Sequence, residues 1–141
     1  MKKIAVIYWS GTGNTEAMAQ AVAEGAKSDH TEVTLLTVGE ASVDIVKNAD
    51  AVALGCPSMG AEVLEESEME PFVTSIEGVV SGKPLVLFGS YGWGNGEWME
   101  DWASRMTRCG ANLLSDGLIV MNAPDAGSLE DCKALGRKLS G

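Results

Sequence analysis

Five short apolar-rich runs alternate along the chain with five stretches whose apolar residues recur at helical spacing. The runs are Ile4–Tyr8, Glu32–Val38, Ala51–Gly55, Pro84–Phe88 and a fifth split into Leu113–Leu114 and Leu118–Met121 around Ser115-Asp116-Gly117. Apolar residues on successive positions, as at Ile4–Tyr8, suit a strand buried on both faces; a strand with one wet face would alternate. Between the runs, Met18/Val22/Ala26, Val43/Val46/Ala49, Phe72/Ile76/Val79, Trp98/Trp102/Met106 and Leu129/Cys132/Leu135/Leu139 each fall on one helix face. Ser42 and Ser128 are placed to cap helices, and Pro71 suits a first helical turn. The connections are short, so the alternation predicts an α/β fold, an open parallel sheet covered by helices on both sides. Residues 1–141 are expected to form a single domain.

Acids outnumber bases 20 to 10, a net charge of -10. Nucleic-acid binding rests on Lys and Arg neutralising phosphates, and an anionic membrane surface repels such a chain, so neither partner is expected. The excess is concentrated. Residues 48–104 hold Lys83 alone against Asp50, Glu62, Glu65, Glu66, Glu68, Glu70, Glu77, Glu97, Glu100 and Asp101, one base minus ten acids, or -9. No apolar run approaches the roughly 20 residues of a membrane span. Met1–Tyr8 turns polar at Ser10 and reads as a first strand rather than a leader. Cys56, Cys109 and Cys132 are odd in number and form no CxxC pair, so a disulfide framework is not expected and a reducing cytoplasm is. His30 stands alone in a polar stretch, and no metal site is expected.

In such sheets, ligands sit beyond the carboxyl ends of the strands, where the strand order reverses. The loops after the first, third and fourth runs are therefore the ones to inspect. Ser10-Gly11-Thr12-Gly13-Asn14-Thr15 offers three hydroxyls, an amide and two glycines at a helix N-terminus. Outward-pointing amides and the helix dipole favour an anion there. It is not a Walker loop, because no Gly-Lys-Ser/Thr follows, and the third position of a GxGxxG fingerprint falls on Glu16. With no Lys or Arg inside it, the loop suits a monophosphate held by hydrogen-bond donors alone; a tight turn with an Asn cap is the plainer alternative.

The stretch Tyr8-Trp9-Ser10-Gly11-Thr12-Gly13-Asn14-Thr15 resembles the FMN-phosphate loop of flavodoxins, in particular the short-chain type of fermentative anaerobic bacteria. Pro57-Ser58-Met59-Gly60 and Phe88-Gly89-Ser90-Tyr91-Gly92-Trp93-Gly94 fall where that family places its two flavin-flanking loops. The fifth run also lacks the long insertion of the long-chain type. The resemblance covers the chain in order and spacing. It implies a flavodoxin-like doubly wound five-stranded parallel sheet, order 2-1-3-4-5, holding FMN tightly but without a covalent bond. Ser10, Thr12, Asn14 and Thr15, with the backbone of Gly11 and Gly13, would hold the 5′-phosphate. Met59 and Trp93 would flank the isoalloxazine ring, Glu62 would accept a hydrogen bond from N3–H, and backbone N–H groups near Ser90, Tyr91 and Gly92 would meet the pyrimidine end. Pro57, Ser58, Gly60, Ala61 and Gly94 complete the two loops.

The same resemblance implies a function. The chain would be a low-potential one-electron carrier rather than an enzyme, with no catalytic residue of its own. It would shuttle mainly between neutral semiquinone and anionic hydroquinone in place of ferredoxin. The carbonyl of Gly60 would bond the protonated N5 after a peptide flip that glycine permits cheaply. The acids around Glu62, Glu65, Glu66, Glu68, Glu97, Glu100 and Asp101 would make the anionic state costly. Its partners would be redox proteins with basic docking patches, and a monomer is the default expectation.

Alternatives fail at specific positions. A receiver domain needs a phosphate-accepting Asp at the end of the third strand, where this chain reads Leu54-Gly55-Cys56-Pro57. A low-molecular-weight tyrosine phosphatase needs a cysteine followed six residues later by arginine; Cys56, Cys109 and Cys132 meet Glu62, Ser115 and Lys138 at that distance. The main alternative is a small FMN-dependent NAD(P)H:quinone reductase, which needs space over the flavin that Met59 and Trp93 would fill; a flavodoxin-like module acting as a bound scaffold is a third, which the colour of the protein would test. One departure from the family is Ala61, where Asp, Asn or Ser is frequent. Ala61 offers no side-chain hydrogen bond and disfavours positive φ, so it should shift the balance between the two turn conformers. Replacing Ala61→Asn is expected to change the semiquinone yield in a reductive titration; equal yields would remove that role.

Overall fold

A computed structural model describes residues 1–59 and 63–141. Four strands, β1 (Lys2–Tyr8), β2 (Thr31–Thr37), β3 (Ala51–Gly55) and β4 (Pro84–Tyr91), run parallel in the order β2-β1-β3-β4. The fifth position is shared by two segments, β5 (Asn112–Leu113) and β6 (Leu118–Met121), both paired parallel to β4. The order is thus 2-1-3-4-5, with the outer strand broken where Ser115-Asp116-Gly117 interrupts it.

Each inner strand is apolar on consecutive residues because helices cover both faces. Ile4, Val6 and Tyr8 of β1 join Ala51, Ala53, Val86 and Phe88 under α1 (Asn14–Ala26) and α5 (Ala126–Ser140). Ala5, Ile7, Val52, Leu54, Leu85 and Leu87 face the other way, toward α2 (Val43–Asn48), α3 (Met69–Ile76) and α4 (Glu97–Arg108). The two helices of the first face approach at backbone distance. A Cβ on Gly25 would land on the Lys133 carbonyl, and one on Gly136 on the Val22 carbonyl.

Several element ends differ from the sequence expectation, each for a local reason. Strand β4 runs on through Gly89-Ser90-Tyr91, a glycine-serine stretch that reads as a turn, because β6 pairs with Phe88–Tyr91. Gly89 sits in that strand because a Cβ there would strike the Cys56 carbonyl. Helix α3 begins two residues before Pro71. The cap of α5 is Asp125, whose carboxylate accepts from Ser128 N at 2.8 Å, so Ser128 lies inside the helix. Val38 leaves β2 to start a 3-10 turn, Val38–Glu40, closed by a reciprocal Thr37–Glu40 capping box.

The one base inside the acidic region and the first one after it both have structural work. Lys83 Nζ donates to the carbonyls of Lys47 (3.1 Å) and Ala49 (2.5 Å), holding the C-terminal end of α2 where a cation is favoured. Arg105, just beyond the acidic stretch, spans α4 and α3. It grips both oxygens of Glu70 (2.8 and 2.7 Å), Glu77 Oε2 (2.8 Å) and Thr74 Oγ1 (2.9 Å). The Arg105 hydrogen bonds hold the Glu70 carboxyl below its ordinary value of 4.5, against the opposing pull of burial.

Two outcomes follow for stability. Overpacking costs of this kind run at about 2 kcal/mol, so Gly136→Ala should lose that much in a denaturant titration; Gly78→Ala, with nothing within 4 Å of its Cβ, should be near neutral. Glu70 is depressed in the folded chain, so its contribution is present above the unfolded value of 4.5 and lost as pH falls through the folded one. Thermal midpoints should therefore be level above about pH 5 and drop below it, and Arg105→Gln should shrink the drop.

Candidate functional site

The carboxyl ends of β1, β3, β4 and β6 meet around a cleft of about 310 Å³. The first loop lends it Trp9, Gly11, Thr12 and Asn14; the second, Pro57, Ser58 and Met59; the third, Ser90, Tyr91 and Gly92. Asn122, directly after β6, completes the wall.

The first loop is built to leave amides open. Ser10 Oγ accepts from Gly13 N at 3.1 Å, closing the turn on itself. Gly13 then caps α1 with φ of 95°, a left-handed conformation that glycine takes without steric cost, and puts no side chain over the first amides of the helix. A Cβ at Gly11 would come within 3.0 Å of the Trp9 ring, so glycine here lets the indole lie against the loop. Thr15 is placed beneath the cleft at 1% exposure, its hydroxyl 3.0 Å from that of Ser90.

The second and third loops are joined to each other. Cys56 N donates to Phe88 O (3.1 Å) and Ser58 N to Ser90 O (3.0 Å), extending the β3–β4 pairing past Gly55. Met59 and Val63 exchange two backbone hydrogen bonds, 2.9 and 3.0 Å. Gly60, Ala61 and Glu62 lie outside the described residues. Tyr91 leans on Trp98 with ring centroids 5.6 Å apart, and Trp98 Nε1 donates to Cys56 O at 3.2 Å. Trp93 is 62% exposed and does not line the cleft, and Gly94 beside it takes φ of 88°.

Sequence reasoning passed over Trp9 and Asn122. Trp9 stands between an apolar strand and the hydroxyl loop and could have been read from that position. Asn122 has φ of 58°, donates its N–H to Tyr91 O at 2.7 Å, and places Oδ1 3.7 Å from where a Gly92 Cβ would stand. Its signal was topological: the loop after the fifth strand opens on the same edge as the other three. Asparagine is among the few side chains that accept the left-handed region.

On balance the surroundings of Cys56 disfavour its thiolate. Burial pushes its thiol up to about 12, far from any thiolate at neutral pH. The Tyr8 hydroxyl donates to Glu16 at 3.1 Å, and burial, reinforced by that carboxylate, raises its pKa. Among the described residues no group of three His, Cys, Asp or Glu side chains is placed to hold a metal, and no helix is long and apolar enough to cross a membrane.

The donor set and the walls together define what fits. The phosphate-sized end is lined by hydroxyls and amides with no cation in the loop, which suits a monophosphate at a helix N-terminus. The other end carries a thioether at Met59, the ring of Tyr91 and the flat face of Pro57, partners for a planar heteroaromatic.

The flavodoxin family model matches residues 6–136 of this chain. A flavodoxin of Clostridium beijerinckii is 46% identical over 135 residues, covering 96% of this chain and 97% of its own. One of Megasphaera elsdenii is 44% identical over 133 residues, 94% of this chain and 95% of its own. The solution structure of two-electron reduced Megasphaera elsdenii flavodoxin superposes with a TM-score of 0.87 at 42% identity, covering 97% of this chain and 98% of that one. A flavodoxin from the domain Archaea gives 0.90 at 31%, over 98% of this chain and 96% of its own. In sequence and in architecture alike, the chain belongs to the flavodoxin family, FMN-carrying electron-transfer proteins, and to its short-chain type.

Proposed function

We propose that residues 1–141 form a single FMN-binding domain that carries one electron at a time at low potential, in place of ferredoxin. The observation that carries this reading is the meeting of three loops on one cleft whose phosphate end has donors but no cation. When bound, FMN supplies the redox centre, and the chain sets its environment.

Thr12 and Asn14, with the backbone of Gly11 and Gly13, hold the phosphate. Ser10 orders that loop through Gly13, and Thr15 supports it from below through Ser90. Met59 lines the cleft where the ring would lie, and Trp93, exposed and outside the lining as it stands, is the side chain that would cover the ring's other face. Backbone groups at Ser90, Tyr91, Gly92 and Gly94 would meet the ring edge, and Pro57 and Ser58 would belong to the same binding wall.

The acidic stretch acts as a field with fewer charges than it counts. Arg105 pairs with both Glu70 and Glu77 and cancels one of their two charges. Other acids of the stretch, among them Glu66, Glu68, Glu100 and Asp101, oppose added negative charge in the cleft and so lower the potential of the second electron. The chain then works mainly between the one-electron-reduced and fully reduced forms. The same surface steers redox proteins with basic patches, an attraction that weakens as salt rises. A cytoplasmic monomer fits the cysteine usage and the charge.

An anaerobic dithionite titration followed by visible absorption tests the reading. The expected result is a yellow protein with one FMN per chain that turns blue before it bleaches. Bleaching in a single two-electron step favours a quinone reductase, and a colourless chain that takes up no added FMN overturns the assignment.

A further inference from the structure

The segment that carries Met59 to the cleft leaves β3 at Cys56 and returns at Glu65. Its neck is closed by Glu65 N, which donates to Cys56 Sγ at 3.4 Å, and the Met59–Val63 pair forms a second rung above it. Glu65 does far more than close the neck. It is 5% exposed, yet its carboxylate accepts from Ser67 N (2.7 Å) on one oxygen and from Glu68 N (2.8 Å) and Met69 N (3.0 Å) on the other. Its carbonyl accepts from Glu70 N at 2.8 Å. The next residue of α3, Pro71, has no N–H, and Glu68 at the N-cap makes no side-chain cap of its own. The first two amides of α3, which a helix leaves without intrahelical partners, and the two that lead into it therefore converge on one residue. A negative charge at that end of the helix is also favoured by its dipole.

We propose that Glu65 is a positioning residue for the cleft: by fixing the neck of the 56–65 loop to the start of α3, it fixes where Met59 stands beside the bound ring. The proposal rests on the cofactor reading above. Glutamine at this position keeps the size but offers one acceptor oxygen for three amides and turns an NH2 group toward at least one N–H. Buried donors left unpaired in this way push the loop and the helix apart. Because the neck is the point at which the loop is anchored, the disturbance reaches Met59 and Val63 and not only the helix end.

The test compares Glu65→Gln with wild type and with Gly136→Ala, which weakens the fold at the α1–α5 contact. In the cofactor-free chain, hydrogen exchange at the Met59 and Val63 amides should quicken at least about tenfold in Glu65→Gln, the scale set by losing one charge-assisted hydrogen bond. Relative to its global stability, Gly136→Ala should show no such local change. With FMN added, the dissociation constant should rise about tenfold and the two one-electron potentials should move in Glu65→Gln alone. Wild-type exchange at both amides, or equal shifts in Gly136→Ala, would reduce Glu65 to a helix cap and overturn the proposal. Should Glu65→Gln not fold, Cys56→Ala opens the same neck with the α3 cap intact and must quicken the same two amides. Failure of the wild-type chain to take up FMN would overturn the cofactor reading, while the exchange comparison would still decide the role of Glu65.

Discussion

The buried hydroxyl pair of Thr15 and Ser90 joins residues 75 positions apart, one at the start of α1 and one near the end of β4. Ser90 also accepts from Ser58 through its carbonyl. Three loops that share no sequence neighbourhood are thereby fixed relative to one another by one residue. Neither hydroxyl could be buried alone, since a polar group taken from water without a partner costs more than a made bond returns. The sheet supplies the setting: β4 is paired on both sides, so Ser90 sits on backbone that cannot drift. A cleft whose donors are neutral depends on such placement, because without a full positive charge affinity must come from the number and aim of hydrogen bonds.

The architecture was legible in the sequence because burial on both faces leaves a mark that survives averaging: apolar residues at consecutive positions. The ends were not. Gly89-Ser90 looks like punctuation, and only the β6 pairing makes it strand. Helix α3 has no capping residue where one would search, because Glu65 caps it from four residues upstream of Met69 with its side chain. Of the cleft, the glycine and hydroxyl loops were readable since those residue types have few other uses together. Asn122 was not, since a lone asparagine after a strand is ordinary until the topology puts that strand beside β4.

Charge is the clearest case of a pattern that a sequence count overstates. Counting acids between 48 and 104 treats each as free, whereas Arg105 reaches back from α4 to pair with two of them and cancel one unit of their charge. Lys83, the one base inside the window, faces backbone carbonyls instead. Glu65 keeps its charge but directs it at amides. Burial opposes that charge, and the N–H groups of Met69, Glu68 and Ser67 outweigh it, holding the carboxyl below its ordinary value. A field is set by which charges lack partners, and partners belong to the fold.

The break in the outermost strand bears on how the molecule meets copies of itself. An exposed sheet edge is a template for strand addition, and proteins blunt it by keeping edge strands short or interrupted. On this side the edge offers only two residues of β5 and four of β6. The opposite edge, β2, runs for seven residues without interruption. Any growth of an intermolecular sheet from the native fold would therefore begin at β2, where Glu32 is the one charged side chain standing in its way.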